Sequence, residues 1–152
     1  GVDFPIAIEP GRYISGNSGV MLTTVEFTKQ NASKNFAIVD AGMNDLLRPA
    51  LYQAFHKIVP LKQIASVDVA KYDVVGPVCE SACVLGYDRD LAVEAGDLLA
   101  VMSAGAYSFV MSNNYNSRCR PAEVLVDGES AHLIRQRENF EQLIAGEQLL
   151  PE

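Results

Sequence analysis

Apolar and polar residues alternate along Val20–Thr28, with β-branched side chains prominent among them, and this period of two predicts an extended strand. Asn31-Ala32-Ser33 supplies turn residues and Phe36–Val39 is a short apolar run, so the two segments read as a hairpin. Further strand-like runs fall at Pro5–Ile8, Lys57–Leu61, Val67–Val75, Val84–Leu85, Leu98–Met102, Glu123–Val126 and Ala131–Arg135. Asp127-Gly128 is a turn signal joining the last two. Helical patterns are few. Leu46–Phe55 predicts two or three turns, with Asp45 as N-cap and Pro49 in the first turn, where its missing N–H costs little. Arg137–Ile144 predicts a short terminal helix stopped by Gly146. Many short strands separated by turn signals predict a mainly β domain, sandwich or barrel-like, with short helices.

The length of 152 residues suits one domain with its own core. A formal charge of −7 without a basic run argues against nucleic acid or an anionic membrane surface as partner. No apolar run approaches the ~20 residues a membrane-spanning helix needs. Cys79, Cys83 and Cys119 form an odd set, which fits free thiols in a reducing cytoplasm better than a secreted disulfide framework. His56 and His132 do not fall near them at zinc-ligand spacing, so no metal site is expected. The chain opens with Gly1-Val2 and reaches an apolar run almost at once, which reads as a piece of something larger or a processed product.

Four clusters carry groups with chemical potential. Glu9-Pro10-Gly11-Arg12 pairs a glycine, which lets backbone N–H groups approach a ligand, with a guanidinium able to grip a carboxylate or phosphate in a two-pronged contact. Arg48 and Tyr52 are four apart, and on a helix they share a face. Cys79-Glu80 follows the break at Gly76-Pro77; a thiol donates a proton well when its pKa lies near working pH. Tyr107 follows the small-residue turn Gly105-Ala106 and can offer a ring or a hydroxyl. Taken singly, each also has an ordinary reading: a surface turn, an exposed arginine beside a half-buried tyrosine, a small buried thiol, a packed aromatic ring.

Their order and joint presence carry more. EPGRY, DAGMNDLLRPALY, VVGPVCES, GDLLAVMSAGAYSF, NYNSR and RPAEVLVDG, in this sequence, resemble the carboxy-terminal half of the diaminopimelate decarboxylases, of the alanine-racemase-like (group IV decarboxylase) class. The resemblance runs from Ile8 to the terminal helix. It implies a two-domain, pyridoxal 5'-phosphate-dependent lyase of lysine biosynthesis. In such an enzyme an amino-terminal (β/α)8 barrel carries the Schiff-base lysine, and a β domain completes the site in a cytoplasmic homodimer with shared active sites. Residues 1–12 would be the end of the barrel domain and residues 13–152 the β domain. Carried over by position, Glu9, Pro10, Gly11 and Arg12 would line the cofactor phosphate. Arg12, Arg48 and Tyr52 would bind substrate, Cys79 would be the proton donor, Glu80 would bind substrate, and Tyr107 would touch both substrate and cofactor.

The chemistry suits those roles. Loss of carbon dioxide leaves an α-carbon that needs a proton, which a positioned thiol supplies. The far carboxylate of diaminopimelate wants paired cations, and its far ammonium wants a carboxylate. Ornithine lacks that far carboxylate, so an ornithine enzyme gains little from an arginine pair. The alternatives are an ornithine or arginine decarboxylase of the same fold, or a non-catalytic regulatory relative; a retained Cys79 speaks against the latter. The sequence departs from the family pattern at Ala82-Cys83, where Gly-Asp is usual, and at Cys119, where proline is usual. None of its lysines sits in a family Schiff-base motif, so the chain by itself is expected not to decarboxylate.

Overall fold

The computed structural model describes residues 3–62 and 68–151. The alternating segment becomes β1 (Met21–Gln30), which buries Thr23 and Val25. It turns into β2 (Asn35–Val39) with Gln30 opposite Asn35. Asn31 makes the turn, because its side-chain oxygen accepts the N–H groups of Ser33 (2.9 Å) and Lys34 (2.8 Å), holding the chain back on itself. β3 (Ile58–Pro60), β4 (Ala70–Val75), β5 (Val84–Leu91) and β6 (Leu98–Val101) complete a six-stranded sheet in the order β3-β6-β1-β2-β4-β5. All neighbours are antiparallel except β2 and β4, which run parallel. The edge strands β3 and β5 approach one another, so the sheet curls into a nearly closed, barrel-like wall. Inside it lie Val25, Val39, Leu46, Val74, Leu85, Leu91, Leu99 and Val101. Each fully buried aliphatic side chain of this kind contributes roughly 1.5–3 kcal/mol.

A separate ribbon, β7 (Glu123–Asp127) and β8 (Ser130–Arg135), turns at Asp127-Gly128 as the sequence predicts, with Gly128 at φ +58°. Both faces of this ribbon are largely exposed. Among the described residues three short α-helices appear: α1 (Gly11–Ser15), α2 (Arg48–Tyr52) and α3 (Phe140–Leu143). No helix among the described residues is long and apolar enough to cross a membrane.

Several expectations are corrected. Pro5–Ile8 forms no strand; Ile6 and Ile8 are exposed, and no described strand pairs with them. The start of the Val67–Val75 run lies outside the described residues, and its strand begins at Ala70. The helix drawn over Leu46–Phe55 is only one turn, because Leu46 is taken into the core and Gln53 adopts a left-handed conformation (φ 53°) that ends it. Asp45 does not cap that helix. Its carboxylate accepts the Gly42 N–H at 2.8 Å instead, and Leu47 stands at the N-cap without a side-chain bond. The Val84–Leu85 strand is longer than its apolar residues suggest, because Tyr87–Asp90 continues the pairing with β4 through polar contacts. The terminal helix is shorter than Arg137–Ile144. It starts after Asn139, whose side chain accepts the Gln142 N–H while the Gln142 side chain accepts the Asn139 N–H.

Candidate active site

α1 and the turn that follows it stack against the turn after β6. Gly105 N–H donates to the Gly16 carbonyl at 3.0 Å, Ala104 N–H to the Gly19 carbonyl at 2.8 Å, and Ser103 Oγ to Asn17 Oδ1 at 2.8 Å. A Cβ on Gly105 would run into the Ser15 carbonyl oxygen, so only glycine allows this approach. Ser103 and Tyr107 both take left-handed backbone conformations, at φ 60° and 59°. Such residues persist where surrounding contacts over-determine them. The consequence is that Tyr107 is delivered to α1: a Cβ built on Gly11 would lie 3.4 Å from the Tyr107 hydroxyl oxygen.

α2 forms the facing wall. Its guanidinium Arg48 lies 5.8 Å from the centroid of the Tyr107 ring, a cation–π arrangement that fixes both groups. Between the walls is an open cleft of about 520 Å³ lined by Glu9, Pro10, Gly11, Arg12, Arg48, Tyr52 and Tyr107, together with Tyr13 and Met111. Seven of the nine sequence-selected site residues therefore meet in one place. The cleft gathers two guanidiniums and three phenols with a single carboxylate, Glu9, on a chain of net charge −7. That donor set suits an anionic ligand. Tyr13 and Met111 escaped notice because neither stands in a pattern that distinguishes it from an ordinary exposed or packed side chain.

The loop that delivers α2 is buried and polar. Asn44 is fully buried and Asp45 nearly so. Asn44 Nδ2 donates to Asp45 Oδ1 at 3.0 Å. Burial pushes the Asp45 carboxyl up, and the Gly42 N–H and the Arg118 and Arg137 charges oppose this only in part. Burial also acts on Asp40, but there the Thr23 hydroxyl (2.5 Å) and the Thr24 N–H (2.8 Å) prevail and hold the carboxyl below its usual range.

Cys79 and Glu80 stand apart from the cleft. They lie at the tip of a loop between β4 and β5 that is closed by the Gly76 N–H donating to the Cys83 carbonyl at 2.8 Å and the Cys83 N–H donating to the Glu80 carbonyl at 2.9 Å. Both side chains are exposed. Glu80 accepts the Ala82 N–H at 3.2 Å and the Tyr115 hydroxyl at 3.4 Å. Neither side chain lines the cleft of this single chain; the irregular path after Gly76-Pro77 carries both to the exposed tip of the loop. The unusual Cys83 has a structural place. Its buried Sγ accepts the Met43 N–H at 3.4 Å and packs where a Cβ on Gly76 would stand only 2.5 Å away.

Residues 12–105 match the family model described as pyridoxal-dependent decarboxylase, C-terminal sheet domain. The chain is 56% identical over 150 residues to the diaminopimelate decarboxylase of Vibrio cholerae, covering 99% of this chain and 36% of that relative. It is likewise 56% identical over 154 residues to that of Pseudomonas aeruginosa, again covering 36% of the relative. The chain thus spans little more than a third of the length of these curated relatives. Among solved structures it is similar to the diaminopimelate decarboxylase of M. jannaschii in complex with L-lysine, with a TM-score of 0.89 and 40% identity over 93% of this chain and 32% of that one. The Helicobacter pylori enzyme complexed with L-lysine aligns with a TM-score of 0.83 and 43% identity, over 90% of this chain and 34% of that one. The cleft, the curled sheet and these matches agree: the chain belongs to the family of carboxy-terminal sheet domains of pyridoxal-dependent decarboxylases.

Proposed function

We propose that this chain serves as the carboxy-terminal half of a cytoplasmic diaminopimelate decarboxylase, which converts meso-2,6-diaminopimelate to L-lysine and carbon dioxide by removing the carboxylate at the D-centre. The observation that carries the reading is the meeting of Arg12, Arg48, Tyr52 and Tyr107 in one cleft. The identity to diaminopimelate decarboxylases along the whole chain supports the same substrate. Residues 1–12 then close a preceding barrel that supplies the lysine, and residues 13–152 form the β domain.

The residues present fit pyridoxal 5'-phosphate. Gly11 leaves the space that a Cβ would fill in front of the Tyr107 hydroxyl, and Arg12 beside it offers a cationic fork for a phosphate. Glu9, Pro10, Gly11, Arg12 and Tyr107 would hold the group. When bound, it supplies the electron sink that makes loss of the carboxylate feasible. The protein's own part is recognition and proton delivery. Arg12, Arg48 and Tyr52 pair with the far carboxylate of the substrate. A far end without that carboxylate leaves the guanidiniums unmatched, which is a strong means of rejection.

Cys79 and Glu80, exposed at the loop tip and not lining the cleft, serve the site of a second copy in a homodimer. There the thiol donates the proton to the α-carbon and the carboxylate pairs with the far ammonium. A two-fold axis makes this reciprocal, so both sites are completed at once. The test is turnover by the complete enzyme, followed as carbon dioxide release from meso-diaminopimelate, L-ornithine and L-arginine. Preference for diaminopimelate is expected; faster release from ornithine or arginine would overturn the substrate assignment.

A further inference from the structure

Arg118 lies outside the cleft, yet its guanidinium reaches the loop that delivers α2. Nε donates to Asn44 Oδ1 at 2.9 Å, and Nη2 donates to the Asp40 carbonyl at 2.6 Å and stands 3.9 Å from Asp45 Oδ2. The backbone adds a parallel tie, the Asn113 N–H donating to the Asn44 carbonyl at 3.0 Å. Asn44 is therefore held twice by one stretch of chain, through its side chain and its main chain.

The two ends of this tie lead to opposite walls of the cleft. Asn44 stands four residues before Arg48, and Leu46 between them is locked in the core. Asn113 follows Tyr107 and Met111 through a short turn, closed by the Met111 N–H to the Ser108 carbonyl at 3.1 Å and by Ser112 Oγ to the Phe109 carbonyl at 2.6 Å. The stretch that carries Arg118 is itself constrained. Asn116 and Ser117 hold left-handed conformations at φ 56° and 53°, and Asn114 Nδ2 donates to the Arg118 carbonyl at 3.0 Å. Strain in adjacent residues is retained where the geometry they enforce is needed.

We propose that Arg118 is a positioning residue for substrate recognition: beside the Asn113–Asn44 backbone tie, it clamps the Asp40–Asp45 loop to the stretch that follows Tyr107 and so sets the spacing of Arg48 and Tyr52 from Tyr107. A lysine cannot replace it. One ammonium does not reproduce a planar fork that meets a side-chain amide, a main-chain carbonyl and a carboxylate together.

This inference rests on the proposed function for its kinetic arm alone. In the complete enzyme, Arg118→Lys is expected to raise KM for meso-diaminopimelate about tenfold, the scale of losing a charge-assisted hydrogen bond, with kcat changed much less. A fall in kcat at unchanged KM would mean only fewer folded molecules and would overturn the clamp. Hydrogen exchange gives a second readout that needs no substrate. In the wild-type enzyme, peptides covering 42–52 and 107–113 are expected to open together in mild denaturant, and in Arg118→Lys both are expected to exchange faster. Independent opening of the two, or faster exchange confined to 114–120, would overturn it. If the wild-type enzyme fails to turn over diaminopimelate, the functional reading falls while the exchange arm still decides the clamp.

Discussion

On the proposed function, the cleft between α1, α2 and Tyr107 and the loop tip at Cys79-Glu80 carry the two halves of one site, and they are built in opposite ways. The cleft is assembled from three distant stretches, held by glycine-permitted backbone contact and a buried polar loop. The tip is a single local loop with the side chains of Cys79 and Glu80 exposed. On that reading, the acid and thiol that complete the cleft come from a second copy of the chain. The largest effects should come from separating the halves. Arg48→Ala and Cys79→Ala, each in the complete enzyme, are expected to lower kcat/KM by about 10²–10⁴. Co-expressed, the two variants should recover about a quarter of wild-type activity, because half the dimers are mixed and each mixed dimer has one intact site. Carbon dioxide release from purified mixtures measures this. No recovery would place both halves in the same subunit and break the comparison.

Next in size is the contact that brings α1 to Tyr107. Gly105→Ala forces a methyl group against the Ser15 carbonyl and the Gly19 N–H, both backbone atoms that cannot yield locally. A destabilisation of about 1–3 kcal/mol is expected from the denaturant midpoint, with weaker cofactor retention. Gly146→Ala is the control, since a Cβ there meets nothing within 4 Å. Its effect should stay within about 0.5 kcal/mol. Equal effects at the two glycines would mean that the cleft wall is no more tightly built than the terminal turn.

The same division explains what was legible in the sequence. Strands with one face in the core show themselves by alternation, as β1 and β2 do. β5 does not, because its second half, Tyr87–Asp90, gains its pairing from polar contacts: Asp73 is buried in β4 and accepts the Asp88 N–H at 2.9 Å. α1 buries no residue, so no periodicity marks it. Asn139 and Gln142 do carry a capping-box signature in sequence, and it fixes the start of α3 more sharply than the polar-to-apolar pattern from Arg137. The cleft residues were legible through the order and joint presence of the motifs and the family they resemble; taken singly, each arginine and tyrosine also fitted an ordinary surface or packing role. Asn44 and Arg118 were not, because their bond spans 74 positions and follows no period. The direction in which Cys79 faces was not legible either: it depends on how the loop closes at Gly76 and Cys83.

Acid should loosen the 114–120 stretch that carries Arg118. Glu138 accepts the Arg120 N–H at 2.9 Å and Asn114 Nδ2 at 2.5 Å, and these bonds lower its pKa from the usual 4.5. A carboxyl whose pKa is depressed on folding adds stability above its unfolded value, and that stability is lost as pH falls through the folded value. Glu138→Gln should therefore cost stability at neutral pH and progressively less below about pH 4.5, where the wild type also loses the charge. Urea midpoints between pH 7 and pH 3 measure the convergence. A pH-independent difference would show that the charge of Glu138 does not matter to the 114–120 segment.

The smallest effect is expected at Tyr115, whose side chain reaches the loop tip. Its hydroxyl donates to Glu80 at 3.4 Å, a long bond at an exposed site. Tyr115→Phe removes that bond and nothing else. A net hydrogen bond is worth about 0.5–1.5 kcal/mol, and the length of this one points to the lower end, so KM for diaminopimelate should rise about two- to threefold with kcat unchanged. The effect should vanish in Glu80→Gln, which removes the carboxylate that on the proposed function pairs with the far ammonium. A double-mutant cycle on KM tests this directly. If the two substitutions add independently, Tyr115 acts on packing alone, and the loop tip orients Glu80 through the Ala82 N–H without help from the 113–118 stretch.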